Sequence, residues 1–599
     1  MKKITVFAGA SHAEEAVDAL RRLGIVHVRL RAGIVGEAAD VEQRLDRVAA
    51  ALKKLPVAVA DTAVDKRPGS QIVSEILTVS EERDRLASRL DELDKGVEWY
   101  DTWHAPSLNK LTELRDAGVT IRLFTANKKQ WEKVAGTPGL IPVGQTENVW
   151  LIAQIAQAGA DAPNLPEERL PTVEKEKIVE LREEMARQVA SLADRLSALA
   201  GSREELEAHR LDLESRLAFE KVKESLIDQK GIRHLEGYAP VDTLDKIRRA
   251  AEKNGWAYVF EEPGDDDPVP TLIRNPKWIQ IINPVLDFLG TIPGYKELDV
   301  SLPFLLFFAL FVAMLVGDAG YGLVYLLLTA VGHVVLKKKM PAQPFILMYV
   351  LSLCTIAWGV ASGNYFGSET IANLPIVEKL TVPAMAAFKT TTGGFNDNEG
   401  FLIGLCFKIG VVHLTLAHVL AGLKKSDSLR CLAEIGWIGV LWGLYFVTGM
   451  LVLNHAFPPF AGVLIAAGAL LALVFTNWQK HVLKGIADTI IELPLGLIGA
   501  FSDIVSYLRL FAVGYASLVL ANTFNGMAAG AEVKGGVMAV AAALILFAGH
   551  SLNMVLAGMG VVVHGIRLQM LEFSGHVGNE WTGTEYQPFA SPDNGEAGN

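Results

Sequence analysis

Apolar residues follow two different rules in the two halves of the chain. In residues 1–265 they recur at helix and strand spacing between charged positions, whereas in residues 303–568 they form long runs. "KKITVFAG", "HAEEAVDALRRLG" and "IVHVRL" predict strand, amphipathic helix and strand, the start of a small α/β lobe. From 41 to 56 and again from 71 to 98 apolar residues fall at coiled-coil spacing, as in Ile76, Val79, Leu86, Leu90 and Leu93. Residues 105–165 break that pattern with strand-like "VTIRLFTA" and "NVWLIAQI" around a helix, which predicts a second α/β lobe. Leu181, Met185, Leu192, Leu196, Leu199, Leu206, Leu213 and Leu217 then carry an apolar seam back through a field of Glu and Arg. "IRHLEGYAPVDTLDKIRRAAEKNGWAYVFEEP" supplies strand, helix and strand to complete the first lobe. The expected fold class of this half is an α+β dumbbell, two α/β lobes joined by an antiparallel coiled coil. Its proximal lobe takes residues 1–60 and 230–265, its coil 40–100 and 168–230, and its distal lobe 105–165.

After a linker at 266–302, apolar segments at 303–317, 319–336, 344–361, 401–423, 433–453, 459–476, 496–524 and 536–568 predict an all-α membrane domain of about eight transmembrane helices. Six of these spans fall in 303–476 and two in 477–576, leaving a tail at 577–599. "MKKITVFAGASHAEEAVDALRRLG" turns amphipathic early and lacks an apolar signal-peptide core, so the first half is expected in the cytoplasm. With that side fixed, Lys337, Lys338 and Lys339, then Lys424, Lys425 and Arg430, then Lys480 and Lys484 all follow even-numbered spans. Every basic cluster is thus predicted on the cytoplasmic side, the 362–400 loop outside, and the C-terminal end inside.

Composition changes this picture little. The chain has 599 residues, 50% hydrophobic and 21% charged, and a formal net charge of -11 that disfavours nucleic acid as a partner. Cys354, Cys406 and Cys431 lie in or beside apolar segments at spacings that match neither a metal site nor a disulfide framework. No phosphate loop, HExxH zinc site or GxSxG elbow occurs, so no catalytic centre, metal or cofactor is expected.

Candidate chemistry is concentrated in the last two spans. In "IVSYLRLFAVGYASLVLA", residues 504–521, Arg509 stands near the middle of an apolar helix, where a cation costs about 3 kcal/mol or more. At helical spacing Ser502, Ser506 and Arg509 share a face with Val513, Ala516 and Leu520, while Asp503 and Tyr507 lie on an adjacent flank. His550, Asn553, Ala557, Gly560, His564 and Arg567 form a second stripe, which Glu572 and His576 continue. Upstream, His481, Asp488 and Glu492 stack on one side of a helix that Pro494 is expected to interrupt. A single intramembrane His or Asn also fits an interhelical hydrogen bond, but arginines in two consecutive spans point to ion translocation. The candidate ion-translocating residues are Arg509, Arg567, Glu492, His564, Glu572, Ser506, Asp488, His550 and Asn553.

"FALFVAMLVGDAGYGLVYLLL", "FSDIVSYLRLFAVGYASLVLAN" and "HGIRLQMLEFSGHV" resemble subunit a, also called subunit I, of the V-type and A-type rotary ATPases. The similarity extends to "KKITVFAGASHAEEAVDALRRLGIVHVRL", "HLEGYAP", "PTLIRNPKWIQIINPV" and "FKIGVVHLTLAH", and so spans the chain. It departs at "ELDVSLP", residues 297–303, where an acidic-Pro-Thr sequence would be expected. The resemblance implies long, tilted last helices that embrace a rotating proteolipid ring of c, K or L type. It marks Gly317, Asp318, Gly320, Tyr321 and Gly322 as a structural motif. It implies peripheral stalks of E and G subunits on the lobes, a C/d subunit on the central stalk and an A3B3 head reached indirectly. It places the chain as a multi-pass subunit of the cytoplasmic membrane, in contact with lipid and without ATPase activity of its own. Arg509 would then lower the pKa of a passing ring carboxylate by roughly one to three units, releasing its ion between two offset half-channels. The sequence leaves H+ or Na+, and pumping or synthesis, open. The rival reading, a secondary ion transporter with a cytoplasmic coiled-coil regulatory domain, would be expected to show internal repeats, and none is seen.

Overall fold

The computed structural model describes the chain apart from residues 31–35, 57–66, 105–106, 147–148, 158–162, 169–170, 230, 339, 388–396, 479–481, 533–535 and 592–599. It divides into two compact units, one of Lys2–Glu261 with the segment from Pro588, the other of Met1 with Glu262–Gln587.

In the first unit Lys2–Gly9 pairs antiparallel with both Ile232–Ala239 and Ala257–Glu261, and His27–Val28 and Ile227–Gln229 extend the sheet on Ile232–Ala239. Strand alternation turns Ile4, Val6 and Ala8 inward, where they meet Ala16, Val17 and Leu20 of the helix Ala13–Leu23 and Ile247 and Ala251 of Leu244–Asn254. Ala13–Leu23 ends on Gly24 at φ +62, where the left-handed backbone lets its N–H reach Leu20 O. A second antiparallel sheet runs in the order Leu140–Thr146, Val149–Gln157, Val119–Ala126, Glu167–Glu168.

Two antiparallel helix pairs join the sheets. Glu37–Lys54 packs on Arg203–Glu224, and Gly69–Trp103 packs on Lys175–Leu199. The 3-10 turn Ala200–Ser202 interrupts the returning seam, so the arm is two pairs that overlap rather than one continuous coil. At the overlap all four helices share a core, with Val48, Ala51, Ile72, Ile76, Leu196, Leu199 and Leu206 buried together. Farther along the longer pair, Leu181 and Met185 are only half-buried, because two helices cannot enclose a seam that four can. Ion pairs of Arg195 with Glu75, Arg182 with Asp94 and Lys175 with Asp101 tie that pair together. Burial pushes the Glu75 carboxyl up, but hydrogen bonds from Arg195 and Arg67 hold it below the usual carboxylate range. Leu206 is wholly buried at the overlap. Leu206→Asp is expected to destabilise the unit by about 3 kcal/mol or more, since the carboxylate finds no partner there. Thermal melting would show it as a lowered midpoint, and an unchanged midpoint would contradict the packing.

In the second unit six helices among the described residues are long and apolar enough to cross a membrane, including Ala319–Leu336, Ala342–Ser362 and Cys431–Leu453. The other two of the eight expected spans are shorter. Ser301–Val316 has 16 residues and Pro459–Phe475 has 17, against the roughly 20 that a span needs. Asp299 Oδ1 accepts from Ser301 N at 2.9 Å, so an aspartate starts the first of them inside the divergent "ELDVSLP". Gly317 ends it in the left-handed region at φ +64.

The turn that follows is built by the GDAGYG residues. Asp318 caps Ala319–Leu336 by accepting from Tyr321 N at 3.0 Å, and its other oxygen accepts from Gly367 N at 3.1 Å. Asn364 closes the corner, donating to Gly317 O at 3.0 Å and accepting from Ala319 N at 2.9 Å. Gly359 lies so close beneath that a Cβ there would stand 2.1 Å from Ala319 N. Small residues serve the same end elsewhere: a Cβ on Gly436 would meet Gly468 O, and one on Gly468 would meet Gly436 O.

Candidate functional site

Arg509 sits just past a break. Val482–Ser506 and Leu508–Glu532 are separate helices that meet at Tyr507. There Tyr507 N reaches Ile504 O and Leu510 N reaches Tyr507 O, three residues back rather than four. Arg509 Nε donates to Ser506 O at 2.9 Å, taking up a carbonyl at the break. Pro494, expected to interrupt this segment, lies inside the first helix instead. Proline is tolerated within membrane helices where neighbouring groups satisfy the freed carbonyl. What marks the break is Tyr507, whose ring is fully buried and whose hydroxyl bonds His413 Nδ1 at 2.8 Å. His413 is itself stacked between Phe307 and Phe573, with centroids 4.0 and 4.2 Å away.

The last long helix also departs from regular spacing. Gly536–Gly560 continues into π-helical turns at Val561–Gly565 and Leu568–Phe573. Bonds to the fifth residue advance the chain more slowly around the axis, so the stripe expected from regular helical spacing loses phase after Gly560. Glu572 is thereby brought to Arg509, whose terminal nitrogen donates to Glu572 Oε1. Arg567 Nε lies 3.8 Å from the same oxygen. Glu572 is 5% exposed, Arg509 23% and Arg567 55%, so a buried carboxylate stands between a half-buried and an open guanidinium. A buried carboxylate without such partners would be strongly destabilising.

The other expected residues divide. His564 is half-buried and close enough to Arg509 and Arg567 to feel both charges. His550 and Asn553 belong to a different cluster: His550 Nδ1 bonds Tyr321 Oη at 2.8 Å, its Nε2 bonds Asn525 Oδ1 at 3.1 Å, and Asn553 donates to Tyr321 Oη at 3.0 Å and Ser517 O at 2.8 Å. They join the last two helices to the GDAGYG tyrosine. Glu492 is exposed on Val482–Ser506, and Ser506 contributes its carbonyl. Asp488 falls on the same helix with its side chain outside those described, and His481 lies outside the described residues.

Sequence reasoning missed a second array. Asp503 Oδ2 is 3.0 Å from His576 Nε2, His576 Nδ1 is 2.9 Å from His418 Nε2, and His418 Nδ1 is 2.6 Å from Glu434 Oε2. Lys425 Nζ donates to Glu434 Oε1 at 2.6 Å. The signal was present, since His418 and Glu434 are ionisable residues within apolar helices. A small cleft of about 70 Å³ also lies beside the residue after Arg509, lined by Asn364, Asn398 and Glu399 and by Leu510, Phe511 and Tyr515.

No protein-family model matches the chain. It is 29% identical to V-type ATP synthase subunit I 1 of Treponema pallidum over 98% of this chain and 99% of that protein. V-type ATP synthase subunit I of Borreliella burgdorferi is 28% identical over 98% of each. An A-type ATP synthase subunit I from Methanocaldococcus jannaschii is 27% identical over 72% of this chain and 65% of its own length. The chain's curated homologues are V-type and A-type ATP synthase subunits I. Alongside these subunit I relatives, the six long apolar helices make this a multi-pass membrane protein. A solved structure titled the cytoplasmic N-terminal domain of subunit I, homolog of subunit a, of V-ATPase aligns with 43% of this chain and all of its own. Its 16% identity and TM-score of 0.19 carry no conclusion about the fold.

Proposed function

We propose that this chain is the membrane stator subunit of a V/A-type rotary ATPase or ATP synthase, a non-catalytic subunit that forms two ion half-channels against a proteolipid ring. The observation that carries the reading is the half-buried Arg509, anchored at a helix break by Ser506 O and paired with Glu572. One guanidinium edge is thus held by its own chain, and the remaining donors can meet a carboxylate from outside. A ring carboxylate brought there would be favoured in its ionised form and would let go of its ion. Because arginine keeps its proton, it also blocks direct passage between the two access paths.

The cleft beside Leu510 and Tyr515 suits the outer path, since Asn364, Met385 and Asn398 belong to the stretch expected outside. Glu492, His564 and Glu572 suit the approaches from either side of Arg509. Both chain ends lie in the cytoplasm in this reading, with the two sheets holding E and G stalk subunits, the arm acting as a strut toward the A3B3 head, and hydrolysis or synthesis left to other subunits. Solubilising the native membrane and purifying the tagged chain is the test. The expected result is recovery with a small proteolipid and with nucleotide-binding subunits. Recovery of the chain alone, in a preparation that still conducts ions, would favour a secondary transporter and overturn the proposal.

A further inference from the structure

We propose that Glu434, His418, His576 and Asp503 form a proton relay between the membrane surface at Lys425 and the helix that leads to Arg509. The inference rests on reading the chain as an ion-translocating stator and adds to it a route and an ion, H+. Four observations carry it. The side chains come from four separate helices: His418 from Asp397–Lys424, Glu434 from Cys431–Leu453, Asp503 from Val482–Ser506, and His576 from the short helix Ser574–Val577 beyond the π turns. They nevertheless form an unbroken series of contacts of 2.6, 2.9 and 3.0 Å. His418 and Glu434 are buried, at 5% and 7% exposure, while the two ends open out, Lys425 with 46% of its side chain exposed and Asp503 with 30%. Asp503 lies six residues before Arg509 on the segment that approaches the break.

Counting protons shows what the array can do. Three hydrogen bonds need three protons, yet two neutral imidazoles between two ionised carboxylates supply only two. The series is complete when it holds one more. With that proton the four side chains carry a net charge of minus one, which the Lys425 ammonium balances through Glu434. The array is thus a store for a single exchangeable proton.

Transfer through it balances. When the proton is on Glu434 Oε2, it passes to His418 Nδ1, His418 gives its Nε2 proton to His576 Nδ1, and His576 gives its Nε2 proton to Asp503 Oδ2. Three bonds to hydrogen break and three form, one proton enters at Glu434 and one can leave from Asp503. Half-turns of the rings, or a proton passing the other way, restore the starting tautomers. Sodium cannot follow, because an imidazole pair with nitrogens 2.9 Å apart has room between them for hydrogen only.

Four groups among the described residues face the array. Trp437 stacks on His418 with centroids 6.3 Å apart, Lys425 bonds Glu434 and lies near His418, and His413 and Tyr507 lie near His576 and Asp503. A purely structural network would ask only for hydrogen-bonding shape at these positions. Glutamine keeps an amide donor and acceptor but cannot exchange a proton, and so separates the two roles.

The experiment is ATP-driven proton uptake by the complete complex in sealed vesicles, carrying His418→Gln, His576→Gln or Asp503→Asn, each first checked for normal assembly. Each is expected to slow uptake about tenfold or more, with imidazole in the medium on the Lys425 side restoring part of it. Normal uptake by the glutamine variants overturns the relay, and so does slow uptake that imidazole leaves unchanged. Uptake that requires sodium and survives a protonophore overturns it as well. Should His418→Gln fail to assemble, Asp503→Asn at the open end gives the same readout. Arg509→Lys in parallel keeps the two claims apart: if that variant is dead while the relay variants are normal, only the relay falls.

Discussion

Arg509→Lys will abolish ATP-driven ion uptake by the assembled complex, whereas Arg567→Lys will retain part of it. Arg509 makes two contacts in different directions, Nε to Ser506 O and a terminal nitrogen to Glu572 Oε1. A single ammonium cannot hold both, so lysine loses either its anchor or its partner. A partly desolvated lysine can also give up its proton, which would open a path that arginine keeps closed. Arg567 is more exposed and stands 3.8 Å from Glu572, a separation at which charge matters more than the planar fork. Sealed vesicles carrying each variant would report uptake with ATP and passive leak without it. The expected pattern for Arg509→Lys is background uptake with raised leak. Normal uptake by Arg509→Lys or Arg509→Leu would remove Arg509 from the centre of the proposed mechanism.

Gly359→Val will prevent the second unit from accumulating in the membrane in folded form. A Cβ at this position stands 2.1 Å from Ala319 N, 2.6 Å from Ala319 Cα and 2.7 Å from Asp318 C, all backbone atoms that no rotamer change can move. The corner at Gly317 to Ala319 would have to lift away, breaking the contact of Ala319 N with Asn364 O and disturbing the two oxygens of Asp318. Overpacking alone costs about 1–3 kcal/mol, and each buried polar group left without a partner adds about as much again. Gly558→Ala, where a Cβ meets nothing within 4 Å, is the control and should accumulate normally. Membrane content and protease resistance read the difference. Equal accumulation of the two variants would mean that the corner tolerates separation.

The sequence was most readable where one short rule governs a whole element. Alternation identified the Lys2–Gly9 strand, and the long apolar runs identified the membrane helices, because burial on one face or on all faces leaves a direct trace. Glu572 shows where such reading stops. Regular helical spacing places it on an extension of the His550 stripe, but two π-helical turns rotate it onto Arg509, and nothing in "VVVHGIRLQMLEF" announces them. Pro494 and Tyr507 make the same point from the other side. The residue that usually breaks helices stays inside one, and a tyrosine held by His413, 94 positions away, marks the actual break. The Asp503–His576 and His418–His576 contacts join residues 73 and 158 positions apart, so only the packed fold could reveal them.

The uneven thickness of the helical arm sets where it yields. Resistance of a rod to bending rises steeply with its cross-section, and the first unit has four helices in section at the Leu206 overlap but two beyond it. Gly69–Trp103 has 35 residues, about 50 Å of helix, most of it supported by a single neighbour. A sideways load on the Val119–Ala126 sheet will therefore be absorbed first as curvature of that thinner stretch, with the four-helix junction behaving as a clamp. The Arg182–Asp94 and Lys175–Asp101 pairs lie along the bending length, where they resist sliding of one helix past the other. If the chain is the proposed stator, the arm is in mechanical terms a leaf spring with a stiff root, expected to hold elastic strain between successive impulses and give it back.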